Sequence, residues 1–270
     1  MQHYDSLIHF IIEVVLGKYM SKYIVKGCCY PVVTGGSSVL NCIKPKVIKI
    51  SDIDIVFVST LHKLVITEDN RFRFLNDIMT DPELLEFCSK HGFPPLHIDK
   101  VYETKPEYRR MVTIKLARLC AGSHALIDTS IQHENNNRIL GKYPIKKRAD
   151  QPIPYYTTAD GINWASCEYV KIDTVRILIH YTTSLNSETT QQNVLSLKRF
   201  VVYVKKLCHL LKIRDIPLET YIKKLKQNDT INVEDMNVIF NMLHKYKSFV
   251  LLKNKLLRHI PDAGREVLII

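Results

Sequence analysis

Residues 32–58, VVTGGSSVLNCIKPKVIKISDIDIVFV, decide the reading of this chain. An apolar run ends in Gly35-Gly36-Ser37-Ser38, and about sixteen residues later Ser51-Asp52-Ile53-Asp54-Ile55-Val56-Phe57-Val58 reads as a strand. Successive side chains of a strand point to opposite faces, so Asp52 and Asp54 share one side while Ile53 and Ile55 share the other. Two carboxylates projecting together repel, and desolvation at a sheet end makes their ionised forms costlier still. Folding alone gives no reason for that placement. A divalent cation does, because Mg²⁺ prefers carboxylate oxygens completed by substrate phosphates. The glycines let backbone approach a phosphate closely, and a short helix predicted behind them, over 39–43 and stopped by Lys44-Pro45, offers unpaired N–H groups.

A third carboxylate joins the pair. Residues 111–119 (MVTIKLARL) alternate, with Val112, Ile114, Leu116 and Arg118 on one face and Thr113, Lys115 and Ala117 on the other. Ala121-Gly122-Ser123 turns the chain and 124–131 (HALIDTSI) returns as the second strand of a hairpin. Asp128 interrupts this apolar tract. An acid inside an apolar strand is costly unless paired or metal-bound, so Asp128 is read as a third ligand in preference to a strand-end carboxylate bonded to backbone.

Composition sets the class. Hydrophobic residues make up 46% and charged residues 24% of 270, enough for one large domain or two modest ones with ample core. Thirty-eight Lys+Arg against 27 Asp+Glu leave +11, an excess that suits a polyanion such as nucleic acid. The seven cysteines (28, 29, 42, 88, 120, 167 and 208) are odd in number and scattered without CxxC or Cys/His spacing, which argues against structural zinc. Most sit in apolar surroundings and are expected to be buried free thiols of a reducing compartment. The apolar run 10–16 contains Glu13 and is too short for a membrane span. The expectation is a soluble, intracellular protein with no membrane partner.

Around the carboxylates the spacing predicts an amphipathic helix over 4–23, with Leu7, Ile11, Val14 and Val15 as its stripe, and helices over 71–79 and 82–91, the second capped by Asp81 with Pro82 in its first turn. Residues 133–151 read as a polar, basic loop. Tyr155-Tyr156 and Asp160-Gly161 suggest a strand and turn before Trp164. Helices follow over 168–183, 192–212, 218–225, 233–246 and 249–259, with a final strand or docking segment over 266–270. Lys198, Lys205 and Lys212 recur every seven residues on one face, a solvated stripe or a track for phosphates. A boundary near 150–165 divides a mixed half, 1–160, from a helical half, 161–270.

The order of glycine turn, short helix, Asp52-Ile53-Asp54-Ile55 strand and later Leu126-Ile127-Asp128-Thr129-Ser130 strand resembles the nucleotidyltransferase superfamily that includes DNA polymerase β and the poly(A) polymerases. Within it the best match is the poxvirus-type poly(A) polymerase catalytic subunit and its relatives in other large DNA viruses. The resemblance covers roughly residues 30–212. It implies an α+β nucleotidyltransferase fold, a mixed sheet with flanking helices, followed by a helical half that binds nucleotide and primer. It also implies two Mg²⁺ or Mn²⁺ ions on Asp52, Asp54 and Asp128, and nucleotide phosphates held at Gly35, Gly36, Ser37 and Ser38. Arg176 or Lys198 would hold the triphosphate tail, an assignment that rests on rough helix position. The implied activity is template-independent addition of nucleotides, AMP from ATP, to an RNA 3′ end in viral mRNA processing, in host cytoplasm or virion.

Two departures matter. The spacing from Gly36-Ser37 to Asp52 is slightly longer than the family's common pattern, and the chain is much shorter than the viral polymerases. They keep open a catalytically inactive subunit of the same fold that binds nucleic acid or scaffolds a viral polymerase, as a homodimer or with a viral partner subunit. A nucleotidyltransferase acting on a small molecule or protein is a third reading.

Overall fold

The computed structural model describes residues 4–24, 29–43, 50–59, 64–104, 112–133, 139–140, 143–144, 155–184, 190–227 and 233–257. The chain divides into two compact units, Met1–Asn136 with Asp150–Ser166, and Asn137–Ala149 with Cys167–Ile270.

The first unit is built on a mixed sheet. Its strands are β1 (Cys29–Thr34), β2 (Ile53–Ser59), β3 (Leu96–Thr104), β4 (Val112–Ala121) and β5 (His124–His133). The pair β6 (Ile139–Leu140) and β7 (Tyr143–Pro144) falls in the second unit, and β8 (Tyr155–Thr157) and β9 (Asn163–Ala165) return to the first. The seven-stranded order is β3-β4-β5-β2-β1-β9-β8. β2 runs parallel to β5 and antiparallel to β1, while β1 and β9 are parallel.

Helix α1 (Tyr4–Phe10) continues through a π-helical stretch, Ile11–Leu16, into α2 (Gly17–Met20). The short α3 (Val39–Cys42) follows the glycine turn, and α4 (Leu64–Met79) and α5 (Pro82–Lys90) follow β2. Ile53, Ile55, Phe57, Ile127, Ala117 and Leu119 lie in one buried cluster with Phe74, Leu75 and Ile78 of α4, and the Phe57 and Phe74 rings meet edge to face at 5.5 Å. Each such side chain contributes about 1.5–3 kcal/mol by leaving water.

The buried face of the N-terminal helix is wider than the predicted stripe: Ile8, Ile12 and Leu16, a second i, i+4 row beside Leu7, Ile11 and Val15, are buried as well. Gly17 marks its closest approach to the sheet: a Cβ there would stand 1.9 Å from the Asp160 carbonyl oxygen in the β8–β9 turn. Two Lys-Tyr pairs fasten the same helix to its neighbours. The Lys18 ammonium and Tyr19 hydroxyl donate to Asp81, and Lys22 and Tyr23 donate to Asp77. Asp81 also caps α5 as predicted, accepting from the Leu84 N–H at 3.0 Å.

Several elements differ from the sequence reading. α4 begins at Leu64, seven residues before the predicted start at 71: it opens on the continuous apolar run Leu64-Val65-Ile66, followed by polar Thr67 to Asn70, and neither shows a helical period. β3 has no counterpart in that reading: Lys100 interrupts the alternation begun by Leu96 and Ile98, while the register shift at Val101/Tyr102 puts the extra residue on β4. It is an edge strand that carries charges at Asp99 and Lys100, as edges commonly do. Pro31 sits inside β1, where it can donate no hydrogen bond; the fully buried Asn163 amide answers the Pro31 carbonyl at 3.0 Å and takes the Thr157 hydroxyl on its own oxygen.

In the second unit, α6 (Cys167–Ser184), α7 (Thr190–Leu211), α8 (Ile216–Gln227), α9 (Val233–His244) and α10 (Lys247–Leu257) enclose a core that includes Phe200, Phe240 and Phe249. Asp215 caps α8 through the Leu218 N–H and accepts the Tyr246 hydroxyl. The α+β class, a mixed sheet with flanking helices followed by a helical half, is the architecture found. Cys88 and Cys120 are buried free thiols and Cys208 is a partly buried one; burial pushes Cys208 up to about 12. No helix of the described residues is long and apolar enough to cross a membrane. Most of the predicted loop 133–151 and the whole of the tail 266–270 lie outside the described residues; within the loop, Ile139–Leu140 and Tyr143–Pro144 pair as β6 and β7.

Two stability measurements check this packing. In a helix, Gly→Ala ordinarily gains about 1 kcal/mol; Gly17→Ala is expected to reverse that sign and lose about 1–3 kcal/mol in urea melts, because backbone at Asp160 must move. Burial would raise the Asp81 carboxyl, but the Leu84 N–H, Tyr19 and Lys18 together hold it below its ordinary value of 3.8. A carboxyl depressed on folding stabilises above its unfolded value, and that contribution fades as pH falls through the folded one. Asp81→Ala is therefore expected to lose about 1–2 kcal/mol at neutral pH, with the gap to wild type narrowing in acid melts below about pH 4.

Candidate metal centre

Parallel pairing of β2 with β5 sets the site. Asp54 and Asp128 occupy the same register position on adjacent strands, so their side chains stand next to each other on one face. Asp52, two residues earlier, shares that face by alternation. One carboxylate oxygen from each of the three lies within 4.8 Å of the others, and all three residues are half-buried. The face opposite is the apolar one packed with α4.

The glycine turn braces this arrangement. Gly35 adopts φ +61°, and a Cβ on it would meet Asp54 Oδ2 at 2.1 Å. The Gly36 N–H donates to Asp54 Oδ2 at 3.2 Å. Ser37 Oγ accepts from the Asp54 N–H at 3.0 Å and donates to the Thr34 carbonyl at 2.8 Å, while Ser38 Oγ donates to the Gly35 carbonyl at 2.7 Å. The turn thus holds Asp54 through one N–H donor to its carboxylate, one hydroxyl acceptor on its backbone N–H, and a glycine that leaves the carboxylate room. Asp52 accepts the Ser51 hydroxyl at 2.6 Å, and the Ser51 carbonyl lies 3.1 Å from His124 Nε2, whose ring stacks on Tyr4 at 4.1 Å.

The Asp128 carboxyl is perturbed by its surroundings. Burial pushes its carboxyl above the ordinary aspartate range; the charge of Arg118 works against that shift and the charge of Asp52 works with it. Arg118 faces it from β4, with Nε 3.1 Å from Asp128 Oδ1. The distance is that of an ion pair, but neither atom is aligned for a hydrogen bond.

The structure thus brings Asp52, Asp54, Asp128, Gly35, Gly36, Ser37 and Ser38 together. Arg176 and Lys198 belong to the second unit. Arg176, on α6, is paired one turn back with Asp173 at 2.6 Å; Lys198 lies on α7, and its side chain is outside the described residues. Arg118 and Ser51 are the neighbours that the sequence reading did not assign to the site. A two-residue hairpin loop would set Arg118 opposite Ile127. A register shift adds Leu126 to β5, and Arg118 then meets Asp128. No sequence signal marks that extra residue.

The donor set suits a hard divalent cation. All three groups offer carboxylate oxygen, their mutual repulsion is relieved by positive charge, and buried Asp128 Oδ1 has no hydrogen-bond partner among the described residues.

Gly35→Ala tests the brace. The left-handed backbone would cost about 1–2 kcal/mol, and the larger effect is displacement of the Asp54 carboxylate. We expect a folded variant by circular dichroism whose Mn²⁺ affinity in calorimetric titration falls at least about tenfold, more than the stability loss explains.

No family model matches the chain, and no curated protein matches it. Among solved structures it is similar to the Megavirus polyadenylate synthase, at 11% identity over 90% of this chain with a TM-score of 0.38. It is similar also to an antigenic nucleotidyltransferase-like protein from Paracoccidioides brasiliensis, at 10% identity over 74% of this chain with a TM-score of 0.32. The chain spans about half the length of the Megavirus protein, 48%, and 76% of the second.

Proposed function

We propose that this chain is a metal-dependent nucleotidyltransferase that extends an RNA 3′ end, with AMP from ATP as the unit added. The observation that carries the reading is the side-by-side register of Asp54 and Asp128, with Asp52 on the same face and the three ligand oxygens within 4.8 Å. The preference for AMP and RNA rests on the resemblance of the Gly35–Asp54 and 126–130 segments to the poly(A) polymerases.

Asp52, Asp54 and Asp128 would hold the divalent ions, Mg²⁺ or Mn²⁺. When bound, such ions lower the pKa of an attacking hydroxyl and neutralise charge on leaving oxygens. The reaction is attack of the primer's 3′-hydroxyl on the α-phosphate of the triphosphate, with release of pyrophosphate. Asp128 Oδ1 is suited to receive the hydroxyl proton, since burial raises its proton affinity and no hydrogen bond occupies it among the described residues. The turn Gly35–Ser38 fixes Asp54, and we assign the nucleotide's phosphates to this turn. Most of the rate gain in such a site comes from holding reactants in line and compensating charge. The second unit is assigned to nucleotide and primer binding, with Arg176 and Lys198 as its phosphate contacts. Cationic side chains explain affinity without base choice, in keeping with +11 on the chain.

The decisive experiment incubates the purified chain with end-labelled RNA, Mg²⁺ or Mn²⁺, and each nucleoside triphosphate in turn, beside the Asp52→Ala/Asp54→Ala variant. Extension with ATP that disappears in the variant is the expected result, and RNA affinity should fall steeply with salt in both proteins. Absence of extension with RNA bound equally by both proteins would favour the inactive, nucleic-acid-binding subunit. Absence of RNA binding would favour a small-molecule or protein substrate.

A further inference from the structure

Arg118 stands where a metal centre gains least from a cation. It occupies the register position opposite Asp128, and its Nε approaches Asp128 Oδ1 to 3.1 Å. An arginine built to lock a carboxylate gives parallel N–H···O bonds. At the Nε–Oδ1 approach of this pair neither atom is well aligned for a hydrogen bond, so the contact acts chiefly through charge. Its side chain is one-third exposed, 33%, against 17% for Asp128, so Arg118 as a whole has more access to water than the acid although its Nε is buried. The contact therefore supplies charge compensation without the directional bonding that would make it hard to break.

We propose that Arg118 is a displaceable counter-ion of the carboxylate cluster, and that it sets the cluster's affinity for divalent cations by competing with them for Asp128. The inference rests on the reading of Asp52, Asp54 and Asp128 as metal ligands. A doubly charged ion entering the cluster meets the guanidinium's positive charge at close range, which weakens its binding. An anionic phosphate ligand arriving with the ion attracts the guanidinium and offsets that penalty. Metal and phosphate ligand then favour each other's binding, each by the same factor. The free protein holds its ions loosely, and loading follows the arrival of the metal-phosphate complex.

The test measures Mn²⁺ binding to the whole chain without nucleotide, from the paramagnetic resonance signal of the free ion. Arg118→Gln and Arg118→Met are expected to bind Mn²⁺ about tenfold more tightly than wild type, the size expected for removing one positive charge about 5 Å from the ion in high dielectric. Arg118→Lys, which keeps the charge, should bind like wild type, and the gap to the neutral variants should shrink at high salt. A residue that merely orients Asp128 gives the opposite sign, since its loss weakens the metal. Unchanged or weaker binding in both neutral variants would overturn the proposal while leaving the metal centre intact. If wild type binds Mn²⁺ no better than Asp54→Asn, the metal reading itself fails. Circular dichroism confirms folding, and either neutral variant suffices if the other does not fold.

Discussion

Like charges held side by side are the constraint from which the rest of the first unit follows. Asp54 and Asp128 are neighbours because β2 and β5 pair in parallel, and a shift of one residue in that pairing would carry one of them to the apolar face. Register of this kind is specified by burial. Ile53, Ile55, Phe57 and Ile127 fill the opposite face against α4, and together they outweigh a carboxylate repulsion of a few kcal/mol. The apolar face of the sheet thus fixes the chemistry of the polar one. The glycine turn completes the arrangement by giving Asp54 an N–H donor and an absent side chain.

The same balance of burial and polar satisfaction recurs away from the site. Asp81 and Asp215 each cap a helix with proline in its first turn, and each accepts a tyrosine hydroxyl. A carboxylate that terminates one helix and ties it to another element serves packing and polarity together. The sequence marked Asp81 as a cap only and gave Asp215 no role; their tyrosine partners lie 62 and 31 residues away.

What was legible in the sequence had a short period. Alternation placed Asp52 and Asp54 on one face, the 3.6-residue period located the helices of the second unit, and Asp-Pro marked the start of α5. The third aspartate was legible because it broke an apolar tract. What escaped was β3 and the detail at which a period is interrupted inside elements that were read. The N-terminal helix changes pitch between Ile11 and Leu16, and β5 carries an extra residue at Leu126. That last shift decides whether Arg118 faces Ile127 or Asp128, so the cation of the site was hidden by a local irregularity. Ser37 was legible as part of a turn, and its use in fastening the backbone of Asp54 depends on contacts across 17 residues.

The return of the chain at β8 and β9 imposes an order on synthesis. The sheet takes its last two strands from Tyr155–Ala165, after an excursion into residues assigned to the second unit. Gly17 packs on Asp160, Met20 Sδ receives the Asn163 N–H, and Pro31 depends on the Asn163 amide. A nascent chain emerging N-terminus first can form the β4–β5 hairpin early, since its partners are local. Its first helix can pack on α4 and α5, and β1 can pair with β2, as soon as those elements emerge. The contacts at Gly17, Met20 and Pro31 close last, when Asp160 and Asn163 arrive.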